Sequence, residues 1–376
     1  MRSKIIILNY GLHIAGVSRA LVNFANALVA RGYDVTIKLE SNDFTLAKDL
    51  DSRVRLQLFL KEWRIFGVRV PGFLRFYSFF LKQMMRIPPN LLHQMIVGSE
   101  YDVEIAFNRG AAARIIAASD NKNSKKLVWV HSDYLRCENP LAGFSSLTEA
   151  RNAYSKYDSI VCVSNQAKVS FEEKFGSFPT TAVKNNIFAV DAISKKAATG
   201  GLLVQRPFLC AIGRICDAKN YPMLLDAVNL LNHRGLDFDL WIVGDGELMP
   251  EIRQQKERLN LVNVKLLGAK ENPYPYLAQA DGYVCSSIYE GLSTTTIEAL
   301  ILGKACVVTD CTGMRDILGD SEYGLVVPIT AEALADGMQQ ILQDKALRNR
   351  YEKKALERAA FFSPERCMDE IESLWS

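Results

Sequence analysis

Several things are scarce in this sequence. No run of about 18 uncharged apolar residues occurs in its 376 positions, so no membrane-spanning helix is expected. The N-terminal apolar stretch Ile5-Ile6-Ile7-Leu8 is too short for a signal peptide, and no small-residue cleavage site follows it. The expected location is therefore cytoplasmic. Charge nearly cancels: 45 basic against 42 acidic residues leave +3, too small an excess for a broad nucleic-acid surface. The eight cysteines include no C-x-x-C pair, and no histidine lies at metal-ligand spacing from them. They read as small buried hydrophobes in a reducing compartment. H-E-x-x-H is absent, and so is G-x-G-x-x-G, which weakens a dinucleotide reading. Asp237-Phe238-Asp239 has D-x-D spacing, but it introduces an apolar strand instead of ending one. It is read as strand-entry polarity with no metal role.

What is present is a globular composition, 49% hydrophobic and 23% charged, at a length that suits two domains. Lys4–Asn9 is a short apolar run bounded by Tyr10-Gly11, as a buried parallel strand would be. A loop with Gly11 and Gly16 follows, then a helix over Val17–Ala30 stopped by Arg31-Gly32, then an alternating strand over Asp34–Leu39. Further strands are predicted at 103–107, 127–131 and 159–163. Between about 189 and 205 the pattern lapses, and it restarts with a strand at Phe208–Ile212. Alternating helices and strands then run to Gly324–Val327. The expected fold class is α/β, as two facing Rossmann-like doubly wound domains. The expected boundaries are 1–190, a linker at 191–206, 207–360, and a C-terminal helix in 361–376. Ligands of such sheets bind beyond the carboxyl ends of the strands.

Three segments there could carry chemistry. Tyr289-Glu290-Gly291-Leu292-Ser293-Thr294 leads from a strand into a helix that contains Glu298. The free N–H groups of that first turn, with the helix dipole, suit an anion, and the two carboxylates suit sugar hydroxyls. The bland alternative is a capped helix start with a solvated Glu290. Gly213-Arg214-Ile215-Cys216-Asp217-Ala218-Lys219 places two cations five apart after a strand, which suits a diphosphate; alone it could equally be a solvated loop. His131 ends the apolar strand Val128-Trp129-Val130 and is either a structural residue or a substrate contact.

The segment Arg53–Arg86 differs in character. It holds eight basic residues and one acid, Glu62, interleaved with Trp63, Phe66, Phe73, Phe76, Tyr77, Phe79 and Phe80. Such a composition suits contact with an anionic membrane surface through Trp63, Arg75, Phe76, Phe79, Phe80, Lys82 and Arg86. A helix packed on the first domain with a solvated basic face is the alternative. Membrane contact would make the protein peripheral on the inner face of the cytoplasmic membrane.

Taken together, Glu290-x7-Glu298, the Gly-Arg-x4-Lys loop at Gly213–Lys219 and Val243-Gly244-Asp245-Gly246 resemble the retaining GT-B glycosyltransferases of family 4. Gly16-Val17-Ser18-Arg19-Ala20, Tyr101-Asp102-Val103-Glu104-Ile105-Ala106-Phe107 and Trp129-Val130-His131 are similar to the bacterial members that build capsule, O-antigen or other surface polysaccharides. The resemblance implies a hexosyltransferase that uses a nucleotide-sugar donor, UDP favoured over GDP, and a lipid-linked glycan acceptor, with no cofactor and no metal. It implies that Arg214 and Lys219 neutralise the donor diphosphate and that Gly16 lets the backbone approach it. Glu298 would bind the ribose, and Glu290 would lie beside the transferred sugar. Gly291, Leu292, Ser293 and Thr294 would offer backbone N–H groups. His131 would contact the donor sugar, and Gly268, Ala269 and Lys270 would line the base pocket. The C-terminal helix would return to the first domain.

Three positions depart from the family's pattern. Ala15-Gly16 replaces a Gly-Gly pair, and Gly303-Lys304-Ala305 replaces Gly-x-Pro. Asn108-Arg109 stands where an acidic residue is common, a change on the acceptor side. Cationic stabilisation of the departing nucleoside diphosphate in a closing, dry cleft would drive the reaction. The rival readings are a non-hydrolysing sugar-nucleotide epimerase, which would interconvert donors without acceptor, and a non-catalytic partner subunit, which would bind donor without turnover.

Overall fold

Four consecutive isoleucine and leucine side chains, Ile5 to Leu8, are fully buried on both faces of the first strand, so that strand sits inside a sheet covered on both sides. Each such side chain contributes about 1.5–3 kcal/mol through burial. The computed structural model describes residues 3–59, 64–65, 68–69, 86–199 and 204–376. The chain divides into two units, residues 1–187 with 367–376, and residues 188–366.

The first unit carries β1 (Lys4–Asn9), β2 (Asp34–Leu39), β3 (Arg55–Leu58), a separate antiparallel pair β4 (Arg64–Ile65) and β5 (Val68–Arg69), then β6 (Val103–Ala106), β7 (Lys125–Val130), β8 (Ser159–Cys162) and β9 (Thr181–Val183). Seven strands form one parallel sheet in the order β3-β2-β1-β6-β7-β8-β9. Register aligns Leu8 with Ala106 and Ala106 with Val128. The opposite face carries an aromatic stack in which Phe24, from the Gly16–Ala30 helix, meets Phe107 and Trp129 at ring separations of 5.8 and 5.3 Å.

The second unit carries β10 (Phe208–Ile212), β11 (Asp239–Val243), β12 (Val264–Leu266), β13 (Gly282–Cys285), β14 (Cys306–Thr309) and β15 (Leu325–Val327). Their order is β12-β11-β10-β13-β14-β15, all parallel. In each sheet the chain builds outward from one strand, then crosses over and builds the other way. The switch points lie between β1 and β6 and between β10 and β13, where open α/β sheets leave a crevice at the strands' carboxyl ends.

Two expectations need correction. Residues 191–206 were expected to be a linker, yet Val190–Ala197 forms a helix of the second unit. Its Ile193 is buried, its basic Lys195 and Lys196 sit favourably at the carboxyl end, and Asn272 Nδ2 donates to the Lys196 carbonyl at 2.8 Å. A single buried apolar residue among small and polar ones leaves little periodicity to read. The division also falls at 187/188 and 366/367 instead of 190 and 360. The Pro364–Glu372 helix leads into the C-terminal residues grouped with the first unit, where Arg31 reaches Asp369 at 2.7 Å and Glu372 at 2.6 Å. The Asp237 and Asp239 carboxylates pair with Arg206, and Asp239 also with Lys265.

Candidate active site

In the second unit the site is built at the β10/β13 switch point. After β10 the chain runs through Gly213 and Arg214 to a single 3₁₀ turn at Asp217–Lys219, and Asn220 then adopts left-handed φ = 48° before the Tyr221–His233 helix. Asparagine tolerates that region better than most residues. The loop after β13 is fastened to this turn. Ser286 Oγ donates to the Lys219 carbonyl at 2.7 Å, and the Ile288 N–H donates to the Ala218 carbonyl at 2.9 Å.

Lys219 and Glu290, 71 positions apart, meet across this junction with Nζ–Oε1 at 2.5 Å, both mostly buried. Ser287 Oγ donates to the same carboxylate oxygen at 2.8 Å. Burial works against the ammonium, yet the Glu290 carboxylate outweighs it and holds the Lys219 pKa above the ordinary lysine value. Thr309, at the end of β14, donates to the Ser287 carbonyl and so braces the loop that aims Ser287. Arg214 is exposed and makes no hydrogen bond or ion pair with any described residue.

Close backbone approach sets this edge of the sheet. A Cβ on Gly244 would stand 1.8 Å from the Gly213 carbonyl oxygen, and one on Gly246 would stand 2.3 Å from that of Ile215. Only glycine fits at either position. The Gly213 N–H donates to Val243 at 3.1 Å, and the Gly244 N–H donates to the Gly268 carbonyl at 3.0 Å. Gly268 itself has φ = 70°, while Ala269 is exposed and Lys270 half-buried.

The Thr294–Ile301 helix begins without a side-chain cap at Ser293 and without an acid in its first turn. Its leading N–H groups thus keep their positive end available to an anion. Gly291, Leu292 and Ser293 are buried ahead of it, and a Cβ on Gly313 would collide with the Gly291 carbonyl at 2.5 Å. Glu298 is buried one turn in and accepts a hydrogen bond from Tyr274 Oη at 3.1 Å.

In the first unit, Gly16 is the first residue of an equally uncapped helix. Its φ is not positive, so its use there is a free N–H more than a permissive backbone. Asn9, ending β1, donates through Nδ2 to the Gly11 carbonyl at 2.8 Å, while its buried Oδ1 has no partner. His131 follows β7 with its ring 4.7 Å from that of Phe107. Burial pushes its pKa down to about 3, although the Phe107 backbone contact favours the proton, and Nε2 is buried without a partner. A neutral ring with a bare nitrogen is an acceptor for a hydroxyl.

Lys219, Glu290 and the 291–294 turn thus converge in one unit. Arg214 lies on the same loop, with its side chain in solvent. Sequence reasoning missed Ser287, Tyr274 and Thr309, whose roles depend on contacts between separate strands' loops; the Ser286-Ser287 pair ending an apolar strand was the one available signal. Of the residues expected to touch membrane, Trp63, Arg75, Phe76, Phe79, Phe80 and Lys82 lie outside the described residues, and Arg86 is exposed. No described helix is long and apolar enough to cross a membrane.

Comparison with known proteins bears on this geometry. Residues 194–358 match the family of glycosyl transferases group 1. That stretch holds Arg214, Lys219, Glu290 and Glu298. Among relatives, an N-acetylgalactosamine-N,N'-diacetylbacillosaminyl-diphospho-undecaprenol 4-alpha-N-acetylgalactosaminyltransferase of Campylobacter jejuni is 34% identical over 180 residues, 47% of this chain and 48% of that one. The chain thus spans about half the length of that relative. A phosphatidyl-myo-inositol mannosyltransferase of Mycobacterium tuberculosis is 30% identical over 210 residues, 54% of each chain. Of solved structures, Anabaena HepE in complex with UDP and glucose superposes with a TM-score of 0.78 at 19% identity over 99% of both chains. A sucrose-phosphate synthase of Thermosynechococcus elongatus gives 0.79 at 18% identity, over 100% and 98%. These likenesses establish the fold class as GT-B, two Rossmann-like parallel sheets with interleaved helices.

Proposed function

We propose that the chain is a retaining glycosyltransferase that moves a hexose from a nucleoside-diphosphate sugar, UDP favoured over GDP, to a hydroxyl of a lipid-linked surface glycan. The observation that carries the reading is the Lys219–Glu290 pair beside an uncapped helix start at the switch point of the second sheet. A leaving diphosphate gains negative charge as the glycosidic bond breaks. Lys219, the solvent-facing Arg214 and the N–H groups after Ser293 supply compensating positive charge. Glu290 accepts sugar hydroxyls once Lys219 turns to phosphate, and Glu298 accepts from the ribose in place of Tyr274. His131 offers Nε2 to a sugar hydroxyl. The acceptor hydroxyl attacks from the face the diphosphate leaves, and a phosphate oxygen takes its proton. With two cations and a helix dipole on the diphosphate, transfer proceeds without a metal ion.

Support for a UDP donor comes from HepE, solved with UDP and glucose. Support for a lipid-linked acceptor comes from the diphospho-undecaprenol and phosphatidyl-inositol in two relatives' names. The test is transfer of radiolabelled sugar from UDP- and GDP-linked hexoses into a membrane lipid extract, with and without EDTA. Lys219→Ala and Glu298→Ala should each lower transfer by at least about a hundredfold, the loss expected from removing about 3 kcal/mol of transition-state contact, with the melting temperature kept. Undiminished transfer in both variants would refute the site, and donor epimerisation without acceptor would favour the rival enzyme.

A further inference from the structure

The first sheet's switch point holds a cation that the proposed mechanism does not use. Arg109 stands three residues past β6, the strand that neighbours β1 at the crossover. Its backbone N–H is held by Asn108 Oδ1 at 2.9 Å, and its guanidinium carbon lies 5.9 Å from the ring centre of Tyr134. Nη1 is buried and has no hydrogen-bond partner, and no described carboxylate pairs with the side chain. Arg31, Arg206 and Arg315 each reach two carboxylates.

A guanidinium cannot shed its proton to relieve burial, so an unpartnered buried N–H on one marks a place for an anion. The next residue, Gly110, has φ = 90°, and apart from its chain neighbours no atom lies within 4 Å of where its Cβ would stand. The planar fork fits two oxygens of a phosphate. Two features suit a lipid phosphate. The Pro89–Ile96 helix packs on the Ala111–Ile116 helix that follows Arg109, and it exposes Leu91 and Met95, one turn apart. In the sequence, Arg53–Arg86 ahead of it has eight basic residues and one acid.

We infer that Arg109 anchors a phosphate of the acceptor lipid, so that the first unit recognises its acceptor as a prenyl or glyceryl phosphate and not as a neutral glycan alone. This rests on the glycosyltransferase reading and names the acceptor class for it.

The test is calorimetric titration of the full chain, its donor site first filled with saturating UDP. Farnesyl diphosphate, inorganic pyrophosphate and farnesol are the probes, on wild type, Arg109→Gln and Arg109→Lys. Farnesyl diphosphate should bind more tightly than pyrophosphate, and farnesol should not bind measurably. Arg109→Gln should weaken farnesyl diphosphate about tenfold, Arg109→Lys should recover part of that, and UDP affinity should be the same in all three. Unchanged farnesyl diphosphate affinity in Arg109→Gln overturns the site. Equal affinity for farnesyl diphosphate and pyrophosphate overturns the lipid assignment. If Arg109→Gln fails to fold, Arg109→Lys decides: it keeps the charge and loses the fork, and unchanged affinity there also overturns the site. Failure of wild type to bind UDP would count against the donor reading and leave the farnesyl diphosphate comparison intact.

Discussion

His131 shows what burial does to one residue. With its pKa near 3 in the folded chain and about 6.5 when unfolded, it is neutral in the native state across the physiological range. Between those values the unfolded chain binds the extra proton, so this residue's contribution to stability is whole above about pH 6.5 and is lost as pH falls toward 3. The slope is about 1.4 kcal/mol per pH unit. Denaturant melts from pH 7 to 4 should therefore show a steeper loss in wild type than in His131→Gln. Equal slopes would mean that the ring takes up its proton in the folded state. The strand-end position of His131 was legible from Val128-Trp129-Val130. Its unpartnered nitrogen was not, because that follows from packing against Phe107, a residue just past a different strand.

Glycine sets the geometry of the elements around the site. Gly244→Ala would push a methyl group to 1.8 Å from the Gly213 carbonyl and force the β10 and β11 loops apart. A cost of about 2–4 kcal/mol is expected, read as a lower melting temperature, with donor affinity falling more than stability alone explains. The Val-Gly-Asp-Gly run is visible in the sequence, but its packing is not, since the carbonyl it packs against belongs to a distant loop. In the second sheet β10 was legible to the residue and β15 to within one, because each is a short apolar run bounded by Gly or Pro. The three-residue β9 and the Val190–Ala197 helix were not, for want of periodicity. For the basic and aromatic element at 53–86, salt-sensitive binding to anionic vesicles is expected, weakened by replacing Arg75, Lys82 and Arg86 with Gln. Equal flotation of the triple variant would discard the membrane contact.

On the scale of the whole molecule, the sequence is two successive strand-crossover series, and the structure contains two parallel sheets, each with its own switch point. Alternating periodicity made that legible. Residues 367–376 group with the first unit, where Arg31 meets Asp369 and Glu372 and Tyr33 meets Trp375, contacts that periodicity does not report. The chemistry distributes accordingly. Of the residues assigned to the diphosphate, Arg214, Lys219 and the 291–294 turn belong to the second unit, inside the stretch that matches the glycosyl transferases, and Gly16 belongs to the first. The first unit carries buried polar atoms without a hydrogen-bond partner, Arg109 Nη1, His131 Nε2 and Asn9 Oδ1 among them.

The central claim is that Lys219 belongs to the donor diphosphate and is held by Glu290 until the donor arrives. Isothermal titration of UDP into Lys219→Met and Glu290→Gln tests it most directly. Loss of the cation should weaken UDP by about a hundredfold, whereas loss of the competing carboxylate should tighten UDP several-fold while transfer falls. Movement of both affinities in the same direction, or of neither, would contradict the claim.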